Sequence, residues 1–190
     1  MVISTEFRVL NITEKKIINK TLSKISFDLN SFLTTNYNYL YVLIDKNNKL
    51  KPFPEIFYCP LKLRELIIKF KFKIRYGGIY FGFIKKGEFY LSLEAVEFFD
   101  KLNLIPKSIK VNVNKETEKS ILYGNNIKKK MIDTLPKHTK RNSYLIIYNQ
   151  FNELIAITYL IKENYEIEKF HDSEIIALNL IDKGYYLRKQ

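Results

Sequence analysis

The feature that most constrains the fold is a break in texture at Ile105-Pro106. A proline steers the residue before it away from helical geometry, so no regular pattern runs through this step. Ahead of it, helical spacing alternates with short apolar runs. Beyond it come several short strand-like runs and a single helical segment. The chain of 190 residues therefore reads as two small domains, 1–105 and 107–190.

In the first domain, Thr13 is an expected N-cap, with Ile17, Ile18, Leu22 and Ile25 at helical spacing over 14–25. "YLYVLID" (39–45) and "EIFYC" (55–59) read as strands, and Pro60 opens a second helix running to Phe70. "KFKFKIRYGG" then alternates Lys71, Lys73 and Arg75 with Phe72, Ile74 and Tyr76, which in a strand gives one basic and one apolar face. "IYFGFIKKGEFYLSL" predicts a hairpin turning at Lys85-Lys86-Gly87, and Ser92 caps a third helix. In the second domain, strands are expected at 108–113, 144–149, 154–161, 174–181 and 185–188, with one helix capped by Asn114 over 115–123. The fold class is α+β: an N-terminal antiparallel α/β domain followed by a small, partly open β-barrel.

Charge narrows the function. The net charge is +12, and it is spread: residues 1–106 carry 17 basic and 10 acidic side chains, residues 107–190 carry 15 and 10. A basic excess over both halves favours a polyanion, of which nucleic acid is the commonest. No run approaches the roughly 18 apolar residues of a membrane span. The start, "MVISTEFRVL", lacks the pattern of a signal peptide, and the single Cys59 cannot form an internal disulfide, so an intracellular protein is expected.

Reactive constellations are missing from the pattern. His138 and His171 have no ligand spacing, and the glycines of "YGGIYFG" form neither a phosphate-binding nor a dinucleotide loop. Cys59 sits in an apolar strand and reads as a small buried side chain. No enzyme activity, cofactor or metal is expected.

One stretch asks for an explanation of its own. In "EKSILYGNNIKKKM" (118–131) a helix stops on Tyr123-Gly124-Asn125, and Lys128, Lys129 and Lys130 leave from the stop. Gly124 can take the left-handed conformation that reverses the chain, and the lysines are placed to meet phosphate. A loop-like second cluster, "PKHTKRNS", contains Lys140 and Arg141.

These residues resemble the Nip-seven family of ribosome-biogenesis proteins, and the Lys-, Asn- and Ile-rich make-up and short length suit an archaeal member. "EKSILYGNNI", "YGGIYFGFIKKGEFYLSLEAVEFF" and the close "IDKGYYLR" are each similar to family motifs and occur in the family's order, over about residues 10–188. The resemblance implies a C-terminal PUA domain at 107–190 that binds pre-ribosomal RNA, with uridine-rich single strands among its targets. It implies contacts at Tyr123, Gly124 and Asn125, at Lys162 and Lys169 of a second basic patch and at Arg188, while Lys128, Lys129 and Lys130 are added on their charge. Lys140 and Arg141 join them on charge alone, and Lys71, Lys73 and Arg75 offer a second RNA or partner face. The segment 162–169 departs from the family: Glu168 stands where a basic residue is common, and Glu163 and Glu166 make it locally acidic. A monomer that docks ribosome assembly factors or the exosome is expected, cytoplasmic in an archaeon and nucleolar in a eukaryote. Two alternatives are an RNA-modifying enzyme carrying a PUA domain and a protein adaptor without RNA affinity.

Overall fold

The computed structural model describes residues 5–45, 53–69, 77–136, 139–163, 167 and 169–188. The basic strand expected at Lys71, Lys73 and Arg75 lies outside them. The chain divides into two compact units, Met1–Leu102 and Asn103–Gln190.

The first unit is built on an antiparallel sheet of β1 (Thr5–Val9), β2 (Leu40–Asp45), β3 (Glu55–Tyr58), β4 (Ile79–Lys85) and β5 (Glu88–Leu91), in chain order. Successive side chains alternate faces, so β3 and β4 divide their rings between two layers. Phe7, Tyr41, Phe57 and Cys59 pack on one face with Ile67 of α3 (Leu61–Lys69). On the other, Tyr58 and Phe81 meet Phe32 of α2 (Phe27–Asn36) and Phe98 and Phe99 of α4 (Leu93–Lys101), with ring centroids 5.0–6.4 Å apart. The β4–β5 hairpin turns at Lys86-Gly87, and the Ser92 hydroxyl caps α4 by accepting from the Ala95 N–H.

Two local expectations are corrected. Helix α1 spans Ile12–Leu22, and its N-cap is Asn11 rather than Thr13. Asn11 Oδ1 accepts from the Glu14 N–H while the Glu14 carboxylate accepts from the Asn11 N–H, so two orphan donors are satisfied reciprocally. Arg8 grips the same carboxylate with both terminal nitrogens, at 2.8 and 2.9 Å. Helix α2 has no counterpart in the sequence reading.

The second unit is a curled five-stranded sheet, a half-barrel, in the order β6 (Lys110–Asn112), β8 (Tyr144–Tyr148), β9 (Leu154–Leu160), β10 (Ile175–Asp182), β7 (Ile127–Lys128). Only β6–β8 is parallel. Helix α5 (Lys115–Leu122) follows β6, and its Ile121 shares one buried cluster with Ile127, Leu145, Ile147, Leu160 and Ile176. Two more corrections fall here. Residues 107–109 form a 3₁₀ turn before β6. Tyr185–Arg188 is a single helical turn where a strand was expected.

Candidate nucleic-acid interface

The site grows from the end of α5. Asn114 caps the start of the helix through its side chain, which accepts from the Thr117 N–H at 2.9 Å. At the other end Gly124 has φ +86°, its N–H donates to the Ile121 carbonyl, and the Asn125 N–H reaches back to the Ser120 carbonyl. This pair of bonds is a Schellman stop, which requires the left-handed residue that glycine supplies without a Cβ penalty.

Side chains from sixty residues downstream reinforce the stop. Asn179 Nδ2, on β10, lies within donating distance of the carbonyls of Ile121 and Asn125 and of Asp182 Oδ2. The Asp182 side chain is buried and takes both terminal nitrogens of Arg188 at 2.9 Å. Arg188 Nη1 also donates to the Leu122 carbonyl, one of the acceptors that a helix end leaves unpaired. The guanidinium lies directly against Gly124: a Cβ there would meet it at 3.0–3.2 Å. Gly184 is needed for a different reason, since a Cβ there would fall inside 3.0 Å of the Leu122 carbonyl oxygen. Arg188, expected among the RNA contacts, here has its guanidinium engaged in this latch with Asp182 and the Leu122 carbonyl. Asn179 and Asp182 were missed as partners. A hydrogen-bonding amide in the middle of a strand, where asparagine is disfavoured, is the signal that could have found the first.

After the stop the chain enters β7 and a 3₁₀ turn, Lys129–Met131. Between this segment and α5 runs a groove of ≈ 570 Å³. Asn114, Glu116, Thr117 and Ser120 form the helical wall. Asn125, Asn126, Lys128 and Lys130 face them, with Met131 and Ile175 supplying apolar surface. The buried Thr117 hydroxyl donates to the Met131 carbonyl and ties the two walls together at 3.2 Å. Ile121 and Ile127, one from each wall, are fully buried. Burying such a side chain contributes about 1.5–3 kcal/mol, so the groove is held by the core beneath it.

The lysine run splits. Lys128 and Lys130 are exposed and line the groove. Lys129 turns away: its ammonium donates to the Phe170 carbonyl at 2.8 Å and lies 3.6 Å from Asp172. Lys162 is drawn to the same turn, its ammonium 4.2 Å from the Phe170 ring centroid and 4.0 Å from Glu174. Lys169 is exposed, as are Lys140 and Arg141, whose loop is fixed by the Arg141 N–H donating to Glu163. Tyr123, the residue just before Gly124 at the stop, is two-thirds exposed.

Burial pushes the Cys59 thiol up to about 12, and its sulfur is directed at the Gly77 carbonyl at 3.1 Å. Among the described residues no cluster of His, Cys, Asp and Glu could hold a metal ion, and no helix is long and apolar enough to cross a membrane.

Comparison with known proteins follows the two units. Residues 7–93 match the model of the NIP7/UPF0113 pre-PUA domain, and residues 109–190 match that of the UPF0113 PUA domain. The 60S ribosome subunit biogenesis protein nip7 of Schizosaccharomyces pombe is 25% identical over 114 residues, 60% of this chain. That match spans 61% of the relative's own length. A conserved PUA domain protein from Thermoplasma acidophilum superposes with a TM-score of 0.59 over 98% of both chains, at 14% identity. A hypothetical protein of the archaeon Pyrococcus horikoshii gives 0.61 over 93% of both, at 13% identity. At such identities these two likenesses concern the fold.

Proposed function

The chain belongs to the NIP7/UPF0113 family, and on that premise we propose that it is a non-catalytic ribosome-biogenesis factor whose PUA domain holds pre-ribosomal RNA in the groove between α5 and β7. The observation that carries this reading is the division of labour in the lysine run. Two neighbouring ammonium groups, on Lys128 and Lys130, face a groove whose other lining is mostly side-chain amides and hydroxyls, with one carboxylate, Glu116, and the apolar Met131 and Ile175. The lysine between them is spent on the protein itself. Ammonium groups neutralise phosphates and release counterions, which gives affinity with little sequence preference. The amides of Asn114, Asn125 and Asn126 can donate to and accept from base edges, and the Tyr123 ring offers a stacking surface. Lys169 extends the basic surface. On this reading the N-terminal unit docks assembly or RNA-processing factors, and the protein acts as a monomer, in the cytoplasm or, in a eukaryote, the nucleolus.

Fluorescence-anisotropy titration of the whole chain with uridine-rich and structured RNAs, at about 50 and 200 mM salt, tests it. Binding should fall steeply with salt, and Lys128→Glu/Lys130→Glu should lower the slope of log affinity against log salt by roughly 1.4, two contacts at about 0.7 each on a single strand. Lys129→Gln should leave that slope unchanged. Binding indifferent both to salt and to Lys128→Glu/Lys130→Glu refutes the proposal.

A further inference from the structure

The outward face of the second unit's sheet carries an apolar track that begins at the groove. At its start, β10 pairs with β7 so that Ile175 lies opposite Lys128, and Ile175 is itself part of the groove wall. The register shifts between Ile175 and Ala177. Because of that irregularity Ile176 and Ala177 both turn into the core, while Ile175 and Leu178 both remain exposed, at 39% and 36%. Leu178 is paired with Tyr159 on β9, and Tyr159 with Tyr144 on β8. Those two rings meet edge to face at 5.4 Å and are half-buried. The row therefore crosses three adjacent strands on one face, and with the step along β10 it spans roughly 20 Å from Lys128.

The far end of the row is basic. Tyr144 follows directly on the loop that carries Lys140 and Arg141, both exposed. Hydrogen bonds fix that loop, among them Asn142 N–H to the Leu160 carbonyl, Leu160 N–H to the Ser143 carbonyl, Ser143 N–H to the Lys140 carbonyl and Lys140 N–H to Ser143 Oγ. Among the described residues, neither the Lys140 ammonium nor the Arg141 guanidinium makes an ion pair; the nearby Glu163 carboxylate accepts from the Arg141 backbone N–H. An apolar, partly aromatic strip with cations at both ends matches a single-stranded nucleic acid, whose bases are flat and apolar-faced and whose backbone is anionic. A protein ligand would need no cation at either end, and a duplex hides its base faces.

We propose that single-stranded RNA leaving the groove crosses this face, its bases lying against Ile175, Leu178, Tyr159 and Tyr144 and a phosphate held by Lys140 and Arg141. This inference rests on the groove binding RNA, and it adds the strand's path across the sheet.

The test compares oligo(U) of 4 and of 12 nucleotides on the intact protein. Lys140→Glu/Arg141→Glu should weaken the 12-mer about tenfold and lower its salt slope by roughly 1.4, while leaving unchanged the 4-mer, which is too short to occupy the groove and also span the track to this loop. Leu178→Ser should weaken the 12-mer several-fold with the same salt slope, since it removes apolar contact and no charge. With 5-iodouridine in the 12-mer, photocrosslinks to Tyr144 or Tyr159 are expected. A 12-mer that binds wild type and Lys140→Glu/Arg141→Glu equally, and crosslinks only at the groove, overturns the track and leaves the groove standing. Loss of the 4-mer and 12-mer in equal measure also overturns it, because the effect is then not local. If wild type binds neither oligomer, groove and track fall together.

Discussion

Replacing Gly124 with alanine separates two costs that the structure distinguishes, and two other glycines serve as references. Gly87, at the tip of the β4–β5 hairpin, has φ +75° and nothing within 4 Å of an added Cβ. Gly87→Ala should therefore lose only the left-handed preference, about 1–2 kcal/mol. Gly124→Ala meets the same backbone cost at φ +86°, and its Cβ also displaces the Arg188 guanidinium, which lies 3.0–3.2 Å away. The guanidinium can retreat only by releasing Asp182 or the Leu122 carbonyl, so Gly124→Ala must cost more than Gly87→Ala. Gly184→Ala pushes backbone against backbone, which no rotamer relieves, and should cost about 3 kcal/mol, the upper range for overpacking. Urea unfolding followed by tyrosine fluorescence ranks the three, and amide hydrogen exchange at 120–125 locates the damage. Gly124→Ala should accelerate exchange there while leaving the β4–β5 hairpin protected. If Gly124→Ala proves as mild as Gly87→Ala, and exchange at the helix end is unchanged, the latch described above contributes nothing and the reasoning fails.

Three further outcomes are expected. Asn11→Ala breaks the capping box of α1 and should cost about 1 kcal/mol in equilibrium unfolding, with Asn11→Ser recovering most of it. The Glu14 carboxyl is held below its ordinary value: burial alone would raise it, but the hydrogen bonds from Arg8 and the Asn11 N–H prevail. Its contribution to stability is accordingly complete above the unfolded carboxylate range and lost as pH falls toward the folded value, so Glu14→Gln should flatten the acid limb of stability against pH. A thiol reagent at pH 8 should label Cys59 no faster than the first unit opens, because burial holds its thiol near 12; rapid labelling of the native protein contradicts that burial.

Elements whose signals are local could be read from the chain directly. Ser92 as a cap, the turn at Lys86-Gly87 and the helix stop at Gly124 each depend on residues within a few positions. Helix α2 escaped because "FDLNSFLTTN" ends in residues of poor helical preference; Leu29 and Leu33, fully buried, make it a helix through tertiary contact. "YYLR" has the composition of a strand, but the tether from Arg188 to the Leu122 carbonyl holds it as a helical turn. The lysine run shows the same limit at the site. That the outward lysines are Lys128 and Lys130 follows from Lys129 finding Phe170 and Asp172, some forty residues further along.

The latch also bears on how the protein reaches its native state. Helix α5 and its stop lie in one stretch of 115–125, but the side chains that reach its carbonyls, Asn179 and Arg188, are 54 to 66 residues distant from them, with Asp182 orienting both. Contacts at such separation close late, after the loop between them has been ordered. An intermediate with α5 and the β8–β9 hairpin formed would still lack the fixed helix end that sets the groove's rim. The rim of the groove is thus completed late, when β10 and the C-terminal turn have docked on the helix end.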